Sequence, residues 1–298
     1  MTAIPFDRLM EQVEAGDSLA AEEVADMAAA HDVLSLGMLA DAVRRRLHGT
    51  TVTYLRLAAC PFEKSFADTV PPAAREIRIT GTPDSLDSAV AAVRSAKAVA
   101  GDRTVSAFSW SAVEQLASRA DLAASRVLND LRSAGLDAIA ELPIDATENL
   151  DDAVEGLTRA GFERLRLTVK TASGEARTPL MLRAAALQEK WGSVGIINPL
   201  PTVLNAVRPT TGYDDVRAVA VARLAAPKIA TVQVDWLRYG PKLAQVALTF
   251  GADDLDGVTA SDEAPDGRRR APLEEVRRSI ESAGYQPAER DGRFRVMS

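Results

Sequence analysis

The feature that most constrains this chain is its rhythm. From Val52 onward, short β-branched runs alternate with longer amphipathic stretches. The strand candidates are 52–57, 76–80, 104–108, 137–142, 164–169, 194–197, 229–234 and a short eighth at 256–258. Between them, 85–100, 123–134, 149–160, 180–190, 214–225 and 243–250 carry apolar residues at helical spacing, and 273–283 closes the chain as a helix. Parallel neighbours need a long crossover, usually a helix, so this alternation implies repeated βαβ units. Eight such units in about 230 residues suit a closed (β/α)8 barrel of the TIM type. An open doubly wound sheet is the rival, and no Gly-x-Gly-x-x-Gly turn after the first strand supports it.

The first fifty residues read as helices instead, over 18–30 and 34–47. Arg44, Arg45 and Arg46 fall in the last turn of the second, where cations meet the negative end of the helix dipole. Gly49 stops it. The chain therefore divides into an N-terminal helical extension, residues 1–50, and a single-domain barrel, residues 51–298.

Composition narrows the function classes. The 298 residues carry a net charge of -7, which argues against a nucleic-acid binder, since phosphate contacts need clustered Lys and Arg. No run approaches the roughly 20 apolar residues of a membrane span, and the N-terminus lacks the order of a signal peptide. Cys60 is the single cysteine, so no internal disulfide forms. A soluble cytoplasmic protein is expected.

Two segments carry a family resemblance. One runs from Asp32 to Gly49 (DVLSLGMLADAVRRRLHG), the other from Gly240 to Gly257 (GPKLAQVALTFGADDLDG). Both resemble the radical S-adenosylmethionine enzymes of the futalosine route to menaquinone, above all aminofutalosine synthase. Cyclic dehypoxanthine futalosine synthase and the deazaflavin-cofactor (FO) synthases share the pattern more loosely. The stretch Arg208–Arg217 and Glu289-Arg290-Asp291 are similar to the family as well. The resemblance implies a radical S-adenosylmethionine barrel.

The departures fall on the functional rim. The family carries Cys-x3-Cys-x2-Cys after the first strand, three thiolates for a [4Fe–4S] cluster whose fourth iron chelates S-adenosylmethionine. Here the loop reads Ala58-Ala59-Cys60-Pro61-Phe62-Glu63-Lys64-Ser65, with one thiol and no His. A four-iron cluster needs more thiolates than that. The family's Gly-Gly turn after the second strand is Gly81-Thr82-Pro83 here, and its glycines and Glu after the fourth strand are replaced by Glu141-Leu142-Pro143-Ile144-Asp145. The His-bearing segment after the eighth strand reads Ala264–Arg270, without His. The resemblance thus implies a cluster-less homologue: no [4Fe–4S] cluster, and S-adenosylmethionine bound more weakly than about 1 mM. Such a pseudoenzyme would bind a partner, either a cluster-bearing relative or another menaquinone-pathway enzyme, or a small molecule. The alternative is an enzyme with cluster-independent chemistry on a futalosine-like nucleoside or an aromatic carboxylate.

The pocket candidates are Cys60, Asp84, Glu141, Asp145, Asp235, Trp236 and Arg238. Carboxylates at strand ends suit acid–base work or a cation, and equally cap the next helix. Arg238 suits a carboxylate or phosphate. His31 and His48 lie in the helical extension, away from the rim, and no metal site is expected. Arg268–Arg270 reads as a solvated loop. Leu243, Val246, Ala247 and Phe250 are expected to pack the seventh barrel helix on the sheet. A mouth filled by Phe62, Trp110 or Trp236 would favour a silent scaffold; an open polar cavity would favour a working pocket.

Overall fold

In the computed structural model, described for residues 6–207, 209–262 and 272–297, eight parallel strands close into a barrel. They are β1 (Thr51–Pro61), β2 (Glu76–Thr80), β3 (Thr104–Ser109), β4 (Ala138–Pro143), β5 (Leu165–Val169), β6 (Val194–Pro201), β7 (Thr231–Asp235) and β8 (Asp254–Thr259). β1 closes the ring, pairing β8 through Thr53–Leu57 and β2 through Leu57–Pro61. The open-sheet rival is thereby excluded.

Helices alternate with the strands as the rhythm requires. They are α4 (Phe66–Thr69), α5 (Leu86–Ala100), α6 (Trp110–Ala120), α7 (Ala124–Ser133), α8 (Leu150–Arg159), α9 (Arg177–Trp191), α10 (Gly212–Ala225), α11 (Trp236–Leu248) and α12 (Pro272–Ser282). Local chemistry fixes several starts. The Ser85 hydroxyl caps α5 by accepting from the Ser88 N–H at 3.2 Å, and Thr211 caps α10 through the Asp214 N–H at 3.1 Å. α11 is kinked at Gly240, which has φ of 75°, so Gly240-Pro241 restarts the helix within it.

Two expectations are corrected here. Between β3 and β4 lie two helices rather than one, since α6 ends at Asp121 in the left-handed conformation and α7 follows. The chain does not close with α12. It adds β9 (Gln286–Glu289), parallel to β1 from Thr51↔Gln286 to Tyr54↔Glu289. β9 occupies the part of β1 that β2 leaves unpaired, and Pro287 is tolerated because this strand is an edge.

The N-terminal region forms α1 (Phe6–Ala15), α2 (Ala21–Ala29) and α3 (Val33–His48). The two family-like segments meet in space. Gly37 of α3 lies under the Phe250 ring, where an added Cβ would come within 2.7 Å, and a Cβ on Gly251 would come 3.1 Å from that of Ala40. His48 Nε2 lies 3.6 Å from Asp253. Close backbone approach explains the small residues in both segments. The third segment docks α2 and α9. Arg217 donates to the Ala28 carbonyl, the Tyr213 hydroxyl donates to the His31 carbonyl, and Asp215 pairs with buried Arg177 at 3.0 Å.

The packing expected of the seventh barrel helix is partly revised. Ala244, Ala247 and Leu248 are buried and Leu243 is half-buried against the core, whereas Val246 is exposed and Phe250, half-buried beyond the helix end, also packs on the core with its ring over Gly37 of α3. Among the described residues, no helix is long and apolar enough to cross a membrane. The Arg268–Arg270 run and the Ala264–Arg270 segment lie outside the described residues.

Candidate functional site

The barrel interior is lined by charges rather than by aliphatic side chains alone. Asp254 and Arg290, both fully buried, pair at 2.5 Å. Glu76 receives Arg78 at 2.7 Å and the Ser106 hydroxyl at 2.6 Å. Arg78 continues upward to Asp256, with contacts of 2.8 and 3.1 Å, and Arg166 reaches the same carboxylate at 3.2 Å. Burial opposes ionisation of Asp256, but Arg78 and Arg166 outweigh it and hold the carboxyl well below the usual range. Burial likewise opposes the charge on Arg78, yet Asp256 and Glu76 raise its pKa above the ordinary value. Arg166 shares its carboxylate with Arg78, and burial lowers its pKa.

Above this ladder, at the C-terminal ends of the strands, opens a cavity of about 320 Å³. TIM-type barrels keep their chemistry at this face. Arg78, Arg166 and Asp256 form its floor, Glu141, Asp235 and Arg238 its charged walls, and Thr168, Asn198 and Gln233 an uncharged side. Asp235 is the N-cap of α11, accepting from the Arg238 N–H at 2.9 Å, and its carboxylate lies 3.5 Å from the Arg238 guanidinium. Burial and then the nearby Asp256 push its carboxyl up. Glu141 has no hydrogen-bond or ion-pair partner among the described residues.

Of the seven sequence candidates, the structure places Glu141, Asp235 and Arg238 on this cavity. Four lie elsewhere. Cys60 is buried in β1, in register with Ile79, and its sulfur accepts from the Thr69 hydroxyl at 3.7 Å. Asp84 is exposed, 3.9 Å from Arg119. Asp145 accepts from the backbone N–H groups of Lys170, Thr171 and Ala172 at 2.6–2.9 Å, clipping the loop after β5. Burial raises its pKa, but those donors more than compensate and lower it. Trp236 is buried in the first turn of α11. Arg78, Arg166, Asp256 and the uncharged trio escaped sequence reading. Arg78 and Arg166 alternate with apolar residues inside strands, where charge at period two was the available signal.

The mouth is not plugged by aromatics. Trp110 and Trp236 are buried away from it, and the Phe62 ring covers Gly81 rather than entering the cavity. The donors of the β1 loop do not match a three-thiolate set. Its one thiol faces the core, and no group of three or more His, Cys, Asp or Glu among the described residues has metal-binding geometry.

The fold is that of the radical S-adenosylmethionine barrels. Methylornithine synthase superposes with a TM-score of 0.66 at 14% identity, covering 94% of this chain and 97% of that one. The [FeFe]-hydrogenase maturase HydG gives 0.69 at 14% identity, covering 95% of this chain and 76% of that one.

Sequence comparison carries the relation further. Residues 197–298 match the family described as the CofH/MqnC C-terminal region. The 5-amino-6-(D-ribitylamino)uracil–L-tyrosine 4-hydroxyphenyl transferase of Archaeoglobus fulgidus is 27% identical over 87% of this chain and 92% of its own length. The aminodeoxyfutalosine synthase of Streptomyces coelicolor is 24% identical over 69% of this chain and 62% of its own length. That of Thermus thermophilus reaches 35%, over 34% of this chain and 28% of its own. The chain is thus similar to aminodeoxyfutalosine synthases and to 5-amino-6-(D-ribitylamino)uracil–L-tyrosine 4-hydroxyphenyl transferases, and its last third to the CofH/MqnC C-terminal region.

Proposed function

We propose that this chain is a cluster-less relative of those enzymes that retains their barrel mouth as a small-molecule site. The observation that carries this reading is the open, charge-lined cavity of about 320 Å³ beside a β1 loop with one buried thiol. A silent scaffold would gain stability by filling such a cavity with apolar side chains, because buried polar groups without partners cost free energy. Among the described residues, the mouth instead leaves the half-buried Glu141 side chain unpaired and the buried Thr168 and Gln233 with unpartnered oxygens. Opposite charges of Arg78, Arg166 and Arg238 against Glu141, Asp235 and Asp256 balance across it. That balance favours a neutral or zwitterionic ligand over a polyanion.

The test has two parts. Protein purified without oxygen and incubated with iron and sulfide is expected to hold no stoichiometric iron, because one thiolate cannot anchor a four-iron cluster. Titration with S-adenosylmethionine is expected to give a Kd weaker than about 1 mM, since the chelating iron is missing and exposed ionic contacts contribute only about 1 kcal/mol each. About four irons per chain, or micromolar S-adenosylmethionine binding, overturns the reading.

A further inference from the structure

The uncharged side of the mouth has a fixed hydrogen-bonding polarity. Thr168 of β5 stands in register with Asn198 of β6. Gln233 of β7 stands in register with Asp254 of β8. Thr168 is 2% exposed, Asn198 5% and Gln233 0%, and all three line the cavity.

Each amide is locked in one orientation by a neighbour that can bond in only one way. Gln233 Nε2 donates to Asp254 Oδ2 at 2.7 Å. That carboxylate, paired with Arg290, is acceptor-only, so it must face the Gln233 amino group. Among the described residues, Gln233 Oε1 is left as a buried acceptor without a partner. Asn198 Oδ1 accepts from the Leu200 N–H at 3.1 Å, which leaves its Nδ2 as a donor with no partner among the described residues. The Thr168 hydroxyl is buried and has no partner among the described residues. The wall therefore offers a donor, a hydroxyl and an acceptor. Native interiors rarely leave such atoms unpaired without a reason.

We infer that Thr168, Asn198 and Gln233 are specificity-determining residues that read an amide edge, the adjacent C=O and N–H of a primary carboxamide or lactam. This rests on the small-molecule reading above and names the chemical class the site takes. The amide carbonyl accepts from Asn198 Nδ2, its N–H donates to Gln233 Oε1, and the Thr168 hydroxyl turns to suit either. A carboxylate in the same place brings no hydrogen to Gln233 Oε1, whatever its attraction to the guanidinium groups elsewhere in the cavity. A site built to hydrogen-bond an N–H rejects an analogue lacking it, because its own buried groups stay unpaired.

Matched probes test this with the full-length protein. Nicotinamide and nicotinate, and benzamide and benzoate, share a ring and differ in the edge and its charge. Ligand-observed NMR titration is expected to show binding of each amide and at least about 10-fold weaker binding of each acid. The informative variant is Thr168→Val, which keeps the shape and removes a buried hydroxyl that has no partner. It is expected to unfold at the same or a higher temperature while binding the amides about 5- to 10-fold more weakly. A purely structural threonine would leave amide binding unchanged, and that result overturns the inference. Acids binding as tightly as amides overturn it too, while leaving the small-molecule site standing. Failure of all four probes also overturns it, while the iron and S-adenosylmethionine measurements decide the cluster-less reading separately.

Discussion

Asp235 answers to two demands at once. Locally it caps α11, which its position just past a strand made legible in the sequence. It also lines the mouth beside Asp256, and burial raises its carboxyl pKa. A carboxyl whose pKa is higher folded than unfolded binds its proton more readily in the fold. Its contribution to stability is favourable at low pH and is lost as pH rises through that raised value. Asp235→Asn keeps a capping oxygen and removes the buried charge. The variant is expected to melt above the parent at pH 7, measured by circular dichroism, with the difference shrinking as pH falls toward about 4. A lower melting temperature at pH 7 would mean that pairing with Arg238 outweighs the burial cost. Asp145 shows the opposite outcome for a similar residue: its position also suggested a site, yet three backbone donors make it a loop clip.

At the scale of elements, α3 and the α11–β8 corner show what the long family-like segments do. Glycine at position 37 is needed because the Phe250 ring occupies the space of a side chain. Gly37→Ala places a Cβ 2.7 Å from that ring, so α3 or the ring must move. Overpacking of this kind costs about 1–3 kcal/mol, and urea unfolding is expected to show it. A cost below about 0.5 kcal/mol would mean that α3 is not firmly seated on the barrel. The sequence marked α3 and its glycine stop correctly. It marked neither α6 nor β9. Trp110–Ala120 lies in the gap between the expected strand 104–108 and the expected helix 123–134, and Gln286–Glu289 has no β-branched residue. β9 is a strand only because β1 offers an unpaired edge there.

For the molecule as a whole, the C-terminal tail completes the barrel that the first strand begins. Arg290 follows β9 directly and carries its guanidinium into the barrel, onto Asp254, with Phe294 stacked 3.7 Å from it. Beneath the ladder lies a second cavity of about 370 Å³, lined in part by Gly292, Arg293 and Phe294 of the tail. A Cβ on Gly292 would approach that of Thr104 to 2.5 Å, so the tail runs tight against β3. Arg290→Ala leaves Asp254 charged, buried and short of a partner. It is expected to destabilise the protein by about 3–5 kcal/mol in urea unfolding, the usual cost of breaking a buried pair from one side. Arg290→Met, which restores volume without charge, is expected to behave no better, because Asp254 remains uncompensated. A loss below about 1 kcal/mol for Arg290→Ala would mean the tail is peripheral to the fold.

By itself the sequence determined the barrel, the order of its main helices and strands, and the number of thiols available near β1. These follow from periodicity, capping chemistry and composition, which are local properties. Tertiary structure decided which polar residues share a space. Arg78 and Arg166 lie 178 and 90 residues from Asp256 along the chain, yet the three form one floor. Thr168, Asn198 and Gln233 are unremarkable within their strands, and only barrel closure brings them to one wall. Closure depends on the register of every strand together, and no local pattern records that register.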